Sequence, residues 1–261
     1  MTATGRATGF GRYVFGAGIV ALGLVFLAFR DFAGGQIAPD GLPARAALAC
    51  VVGVFLVAAG AAMGWRRTAA WGAGALTAYY AVVVVVLMDG LVIAQNVSVY
   101  GAYSGAAEEL AIAAAGLIVF AANARIDAVL AARLTRIAQL AFGVCAVLFG
   151  GAHFAYMTLT APLVPRWLPP SPLFWGYATG IFHIAGGIAI LTGVRARLAA
   201  ILLTVMYAAF TPLVHIPTLF ADPHRAFLWS ENALNLALVG VAWVVADSLR
   251  PDGLAPGQSA P

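Results

Sequence analysis

Lysine is absent from this sequence, charge is scarce and cysteine nearly missing, and each shortage narrows what the chain can be. Of 261 residues only 9% are charged, against about 25% in an ordinary soluble domain. A soluble helix needs a polar face opposite its buried one, and the long apolar stretches here have none. All 14 basic residues are arginine, and they never gather into the runs of about five to eight that mark a nucleic-acid surface. The pI near 9.4 therefore reflects scattered arginines, and no nucleic-acid partner is expected. Cys50 and Cys145 lie far apart within apolar segments, with no C-x-x-C or C-x-x-C-H. That leaves no dithiol motif and no covalent haem attachment, and both thiols read as small hydrophobes. There is no H-E-x-x-H metal motif either. An apolar–polar alternation over about ten residues, the mark of a membrane β-barrel strand, is also missing.

What remains is apolar sequence: 63% hydrophobic, with a mean hydropathy of +0.95. Eight apolar segments stand out, at about Tyr13–Phe29, Arg45–Met63, Ala69–Ala94, Glu109–Asn123, Ile137–Thr160, Ser171–Thr192, Leu198–Ile216 and Ser230–Asp247. Lipid offers the backbone no hydrogen-bond partner, so such segments must be helices. The expected fold is an all-α integral membrane protein of eight transmembrane helices, arranged as two tandem four-helix bundles. Tyr13–Phe29 follows Arg6 and Arg12 but exceeds a signal-peptide core in length, and is read as an uncleaved first helix. Ten arginines (Arg6, Arg12, Arg66, Arg67, Arg125, Arg133, Arg136, Arg195, Arg197 and Arg250) fall on one side of this arrangement and four (Arg30, Arg45, Arg166 and Arg225) on the other. By the positive-inside rule both termini are cytoplasmic.

The two halves echo each other. Arg12 aligns with Arg136 at an offset of 124, Leu42-Pro43 with Leu168-Pro169 at 126, Arg67 with Arg195 and Tyr79 with Tyr207 at 128, and Gly116 with Gly240 at 124. The units are therefore residues 1–124 and 137–250, joined by a cytoplasmic linker at 125–136. A Pro/Gly/Ser-rich tail at 251–261 is expected to be disordered.

The second unit carries His153, His183, His215 and Glu231 inside membrane-length segments. Ionisable groups there are costly and are functional-site candidates by default. His153 lies 17 residues past Arg136 and His215 18 past Arg197, placing both at roughly 25–27 Å along their helices at about 1.5 Å per residue. Glu231, 19 residues before Arg250, reaches about the same depth, and His183 lies shallower. Each group has polar company at helical spacing: Tyr156 near His153; Trp175 and Thr179 before His183; Tyr207 and Thr211 before His215; Asn232 and Asn235 after Glu231. The four ionisable groups are the candidate proton-exchanging or catalytic residues, and Tyr156, Trp175, Thr179, Tyr207, Thr211, Asn232 and Asn235 the candidate ligand-binding ones, around one outward-opening cavity. Glu231 should find a donor there, a histidine or Asn235. The competing structural readings are a hydrogen-bonded core histidine in each case and, for Glu231, a first-turn acid with Ser230 as the helix cap. No metal ligand set is assigned. In the first unit Asp89 falls on His215 at an offset of 126, and Glu108-Glu109 opens the fourth segment.

Gly150-Gly-Ala-His153-Phe, Thr211-Pro-Leu-Val-His215-Ile-Pro217 and Glu231-Asn-Ala-Leu-Asn235 resemble the DoxX-like family of bacterial membrane proteins, over about residues 135–250. The resemblance implies a four-helix bundle in the bacterial inner membrane, in some members linked to quinone redox, as in small subunits of a thiosulfate:quinone oxidoreductase. Two departures stand against it: the chain is doubled, and it has no thiol pair. The first function expected is a quinone-linked redox protein or subunit with a redox partner protein. The alternatives are a non-enzymatic binder of a small hydrophobic or lipid-like ligand, a metal or haem site, and a lipid isomerase. Whether the chain is an enzyme stays open.

Overall fold

The computed structural model describes residues 9–32, 34, 36, 38 and 42–250. Arg6, Asp40 and the tail at 251–261 lie outside the described residues. Eight helices are long and apolar enough to cross a membrane: α1 (Gly11–Phe29), α2 (Arg45–Ala62), α3 (Ala69–Gln95), α4 (Tyr100–Asn123), α5 (Ala128–Ala155), α6 (Pro172–Thr192), α7 (Ala196–Ala221) and α8 (Ala226–Ser248). No strand occurs among the described residues. The chain is a multi-pass, all-α membrane protein.

Several boundaries differ from the sequence reading. α4 begins at Tyr100, nine residues before Glu109, because Gly, Ser and two glutamates lower hydropathy without breaking a helix. The expected linker at 125–136 is mostly helix. Asp127 accepts from the backbone N–H of Val129 and Leu130 at 2.9 and 3.0 Å and starts α5 at Ala128. α5 ends at Ala155, and Met157–Thr160 forms a separate short turn. α7 continues past His215 to Ala221. In α3 and α7 the hydrogen-bond ladder widens to i→i+5, over Tyr79–Asp89 and over Thr211–His215. Pro212, which has no N–H to donate, sits in the second of these.

Two pairs of helix starts recur at one offset. α2 and α6 start at Arg45 and Pro172, α3 and α7 at Ala69 and Ala196, and 172 − 45 and 196 − 69 both give 127. At that offset Tyr80, not Tyr79, falls on Tyr207, correcting the alignment at 128. Both are fully buried. The widened turns end at Asp89 and His215, 126 apart, and each runs into a final six-residue α-helical stretch.

Glycine shows the same period. On α1 and α2, Gly16 faces Gly60 and Gly23 faces Gly53; on α5 and α6, Gly143 faces Gly187 and Gly150 faces Gly180. Each of these eight positions maps onto its counterpart at 127. A Cβ on Gly60 would stand 2.7 Å from the Gly16 carbonyl oxygen, and one on Gly187 2.6 Å from that of Gly143. Hydrophobic burial does not drive helices together in lipid, so close backbone approach at small residues supplies the packing.

The helices close into two rings that share two members. Consecutive helices pack from α1 to α8, α8 packs back on α1, and α4 touches α8 across the middle. One ring is α8-α1-α2-α3-α4 and the other α4-α5-α6-α7-α8. Each repeat unit thus completes its ring with the other unit's fourth helix. α4 and α8 are accordingly the most buried spans.

Candidate functional site

The second ring encloses a cavity of about 850 Å³. His153, His183, His215 and Glu231, predicted from four different helices, all border it. So do Tyr156, Trp175, Thr179, Tyr207 and Asn235. Thr211 and Asn232 do not line it; they brace the wall. Asn235 Nδ2 donates to Thr211 Oγ1 at 2.8 Å and to the Tyr207 carbonyl at 3.2 Å. Asn232 Nδ2 donates to the His215 carbonyl at 2.8 Å. The two asparagines of α8 thus hold the stretch of α7 that carries the widened turn.

His153 and His183 are set by their own helices. Nδ1 of His153 lies 3.0 Å from the Phe149 carbonyl, and Nδ1 of His183 2.8 Å from that of Thr179. A carbonyl only accepts, so Nδ1 carries a proton in both, and in the neutral ring Nε2 keeps a lone pair. The two imidazoles stand 4.9 Å apart between centroids. His183 is 3% exposed and packs among Phe149, Tyr207 and Phe210 at 6.1, 5.4 and 6.3 Å. The Tyr207 hydroxyl has no hydrogen-bond partner among the described residues.

The carboxyl side of the cavity departs from expectation. Glu231 receives no hydrogen bond from a histidine or from Asn235, whose amide is spent on α7. Nor is it a first-turn acid: α8 begins at Ala226, and the Ser230 hydroxyl caps nothing. Instead Glu231 shares the cavity wall with a second carboxyl, that of Glu108 on α4. Glu108 and Ser104 line the cavity although they belong to the first repeat unit. The sequence reading set Glu108-Glu109 only as a loose first-unit match to Glu231 and missed Ser104, because it began the fourth helix at Glu109 and kept the units separate.

Leu163, Val164, Pro165 and Leu168 of the α5–α6 connection line one end of the cavity, and the lining runs to Arg195 at the other. One opening is lateral. Phe182 on α6 and Leu198, Leu202 and Val205 on α7 border the cavity and are also exposed on the apolar surface. Among the described residues, no three His, Cys, Asp or Glu side chains converge as a metal ion requires.

A family model described as a domain of unknown function (DUF8561) matches residues 142–246, the stretch that supplies most of the cavity wall. No curated protein and no solved structure matches the chain.

Proposed function

We propose that the cavity binds a lipid-soluble ligand with a hydrogen-bonding head group, of the quinone or quinol class, which enters from the membrane between α6 and α7. The observation that carries this reading is the pairing of a lipid-facing side opening with one polar cluster inside. The cavity has the size of small-molecule sites, which span roughly 300–1,000 Å³. Apolar walls suit an isoprenoid-like or acyl tail. Nε2 of a neutral histidine accepts from a quinol hydroxyl, while a carboxyl group accepts as the anion or donates to a quinone carbonyl as the acid. The DoxX-like motifs fall on this same wall and support a quinone over other lipids. Electron transfer to a redox partner protein is the further step of this reading and rests on that resemblance alone.

The test is equilibrium binding of a short-chain quinone analogue to protein in lipid nanodiscs, followed by quenching of Trp175 at the cavity wall. Quenching should saturate and be displaced by the corresponding quinol. A linear rise equal to that in protein-free discs would mean partition into lipid and no site.

The DoxX-like resemblance supports a place in the bacterial inner membrane, and the arginine distribution supports both termini in the cytoplasm. Reporter fusions after Arg67 and Arg195 should be active on the cytoplasmic side and those after Arg166 on the other. The reverse pattern would invert the assignment.

A further inference from the structure

The wall of the second-ring cavity spends its donors and keeps its acceptors. The Ser104 hydroxyl donates to the Gly101 carbonyl at 3.3 Å, that of Thr160 to the Tyr156 carbonyl at 3.1 Å and that of Thr179 to the Trp175 carbonyl at 2.7 Å. Trp175 Nε1 donates to the Pro169 carbonyl at 2.9 Å. The Asn235 amide is spent on α7. The Nδ1 protons of His153 and His183 are spent on carbonyls of their own helices. All of these side chains line the cavity.

What is left at the wall is mostly of the opposite kind. In the neutral rings Nε2 of His153 and of His183 keeps a lone pair, and the two imidazoles are 4.9 Å apart. Glu108 and Glu231 add two carboxyls. An ionised carboxyl only accepts, and a protonated one still accepts at its carbonyl oxygen. His215 adds one acceptor and one donor as a neutral ring. The Tyr156 hydroxyl already takes the Gly101 N–H at 2.7 Å. Arg195 lines the far end, 12 residues before Tyr207 in the chain and about 18 Å from it along α7. Beside the histidine pair stands one uncommitted hydroxyl, that of Tyr207. The side chain is 2% exposed, its ring lies 5.4 Å from that of His183, and the hydroxyl has no hydrogen-bond partner among the described residues.

We propose that this cavity selects the reduced, hydroxyl-bearing form of its ligand, a quinol over the matching quinone. The inference rests on the reading of the cavity as a quinone-class site and names the form that the site holds. A ligand hydroxyl donates to Nε2 of His183 or His153 and, at the same oxygen, accepts from Tyr207. A quinone carbonyl accepts from Tyr207 but leaves the histidine lone pairs buried without a donor, and a polar site left unpaired in this way discriminates strongly. An ammonium head group would donate to the histidines but has no lone pair for Tyr207.

Competition binding to the full chain in lipid nanodiscs, under nitrogen, tests the selection. The probes share one ring and one short tail: the quinone, its quinol, and the dimethyl ether of the quinol, which keeps both oxygens and has no O–H. Each is titrated against the quenching of Trp175 by bound quinone. The quinol should bind at least about tenfold more tightly than the quinone, the effect of one net hydrogen bond, and the ether no more tightly than the quinone. His183→Phe keeps a ring and removes the acceptor, and should narrow that gap. If this variant does not fold, the comparison of the three probes on the wild-type chain carries the test. Equal affinities for quinol and quinone, or an ether that binds as tightly as the quinol, would overturn the proposal and leave the cavity a quinone-class site. Quenching that rises as in protein-free discs, displaced by none of the three, would overturn the ligand site itself and the selection with it.

Discussion

His183 is the most firmly placed ionisable side chain of the cavity. One ring nitrogen is committed to the Thr179 carbonyl, and four aromatic rings surround it. In the neutral ring its remaining lone pair is an acceptor at the cavity wall. His183→Ala should therefore weaken binding of the quinol analogue about tenfold, the loss of one net hydrogen bond of roughly 1–1.5 kcal/mol. Val86→Ala, on the exposed surface of α3, should leave binding unchanged. Equal affinity in both variants would remove His183 from the site. At this scale the sequence was informative wherever polarity stood out against an apolar run, as at the three histidines and Glu231. It did not show which polar group a side chain would meet. Asn235 was expected to serve Glu231, but a helix with a widened turn presents backbone carbonyls that compete for the same amide, and α7 takes it. The place of Glu108 in this cavity was not foreseen, because two adjacent acids read as the flank of a helix rather than as two faces of one.

Between elements, the glycine rungs determine how α1 approaches α2 and α5 approaches α6. Their spacing of seven on each helix keeps one face toward the partner over two turns. Gly187→Ala and Gly60→Ala place a Cβ 2.6 and 2.7 Å from a backbone oxygen that has no room to yield. Each should cost about 1–3 kcal/mol of stability, the usual range for overpacking, read as a lowered unfolding midpoint in detergent. The two losses should match, because the positions are repeat counterparts. A Cβ at Gly90 meets nothing closer than 3.8 Å, so Gly90→Ala should be neutral or slightly stabilising. Equal stability of all three variants would refute the rung packing. This Gly-x6-Gly pairing was present in the sequence and gives α1–α2 and α5–α6 a common offset of 127. The arginine and tyrosine matches used to find the repeat scattered between 124 and 128, because loop-end arginines tolerate a shift of a residue or two while a backbone contact does not. The widened turn at Pro212 has a cause in the missing N–H. That over Tyr79–Asp89 contains no proline, and its position could not be read from composition.

For the whole molecule, hydrophobic length was enough to count eight helices, and the even number in each half to make the repeats parallel. It was not enough to say which helices touch. A transmembrane helix is apolar all round, so periodicity does not mark the face that meets a neighbour as it does in a soluble bundle. The shared α4 and α8 were therefore not legible, and with them went the first unit's contribution to the cavity. The account stands or falls on that cavity being a ligand site built from both repeat units. Photoaffinity labelling in native membranes with an azido-quinone, mapped by peptide mass spectrometry, tests it most directly. Labels competed by excess unmodified quinone are predicted on Phe182 of α6, on Leu202 and Met206 of α7, and on the Ser104–Glu108 stretch of α4. Uncompeted labels confined to outward-facing residues such as Val82 and Val86 of α3 would contradict it.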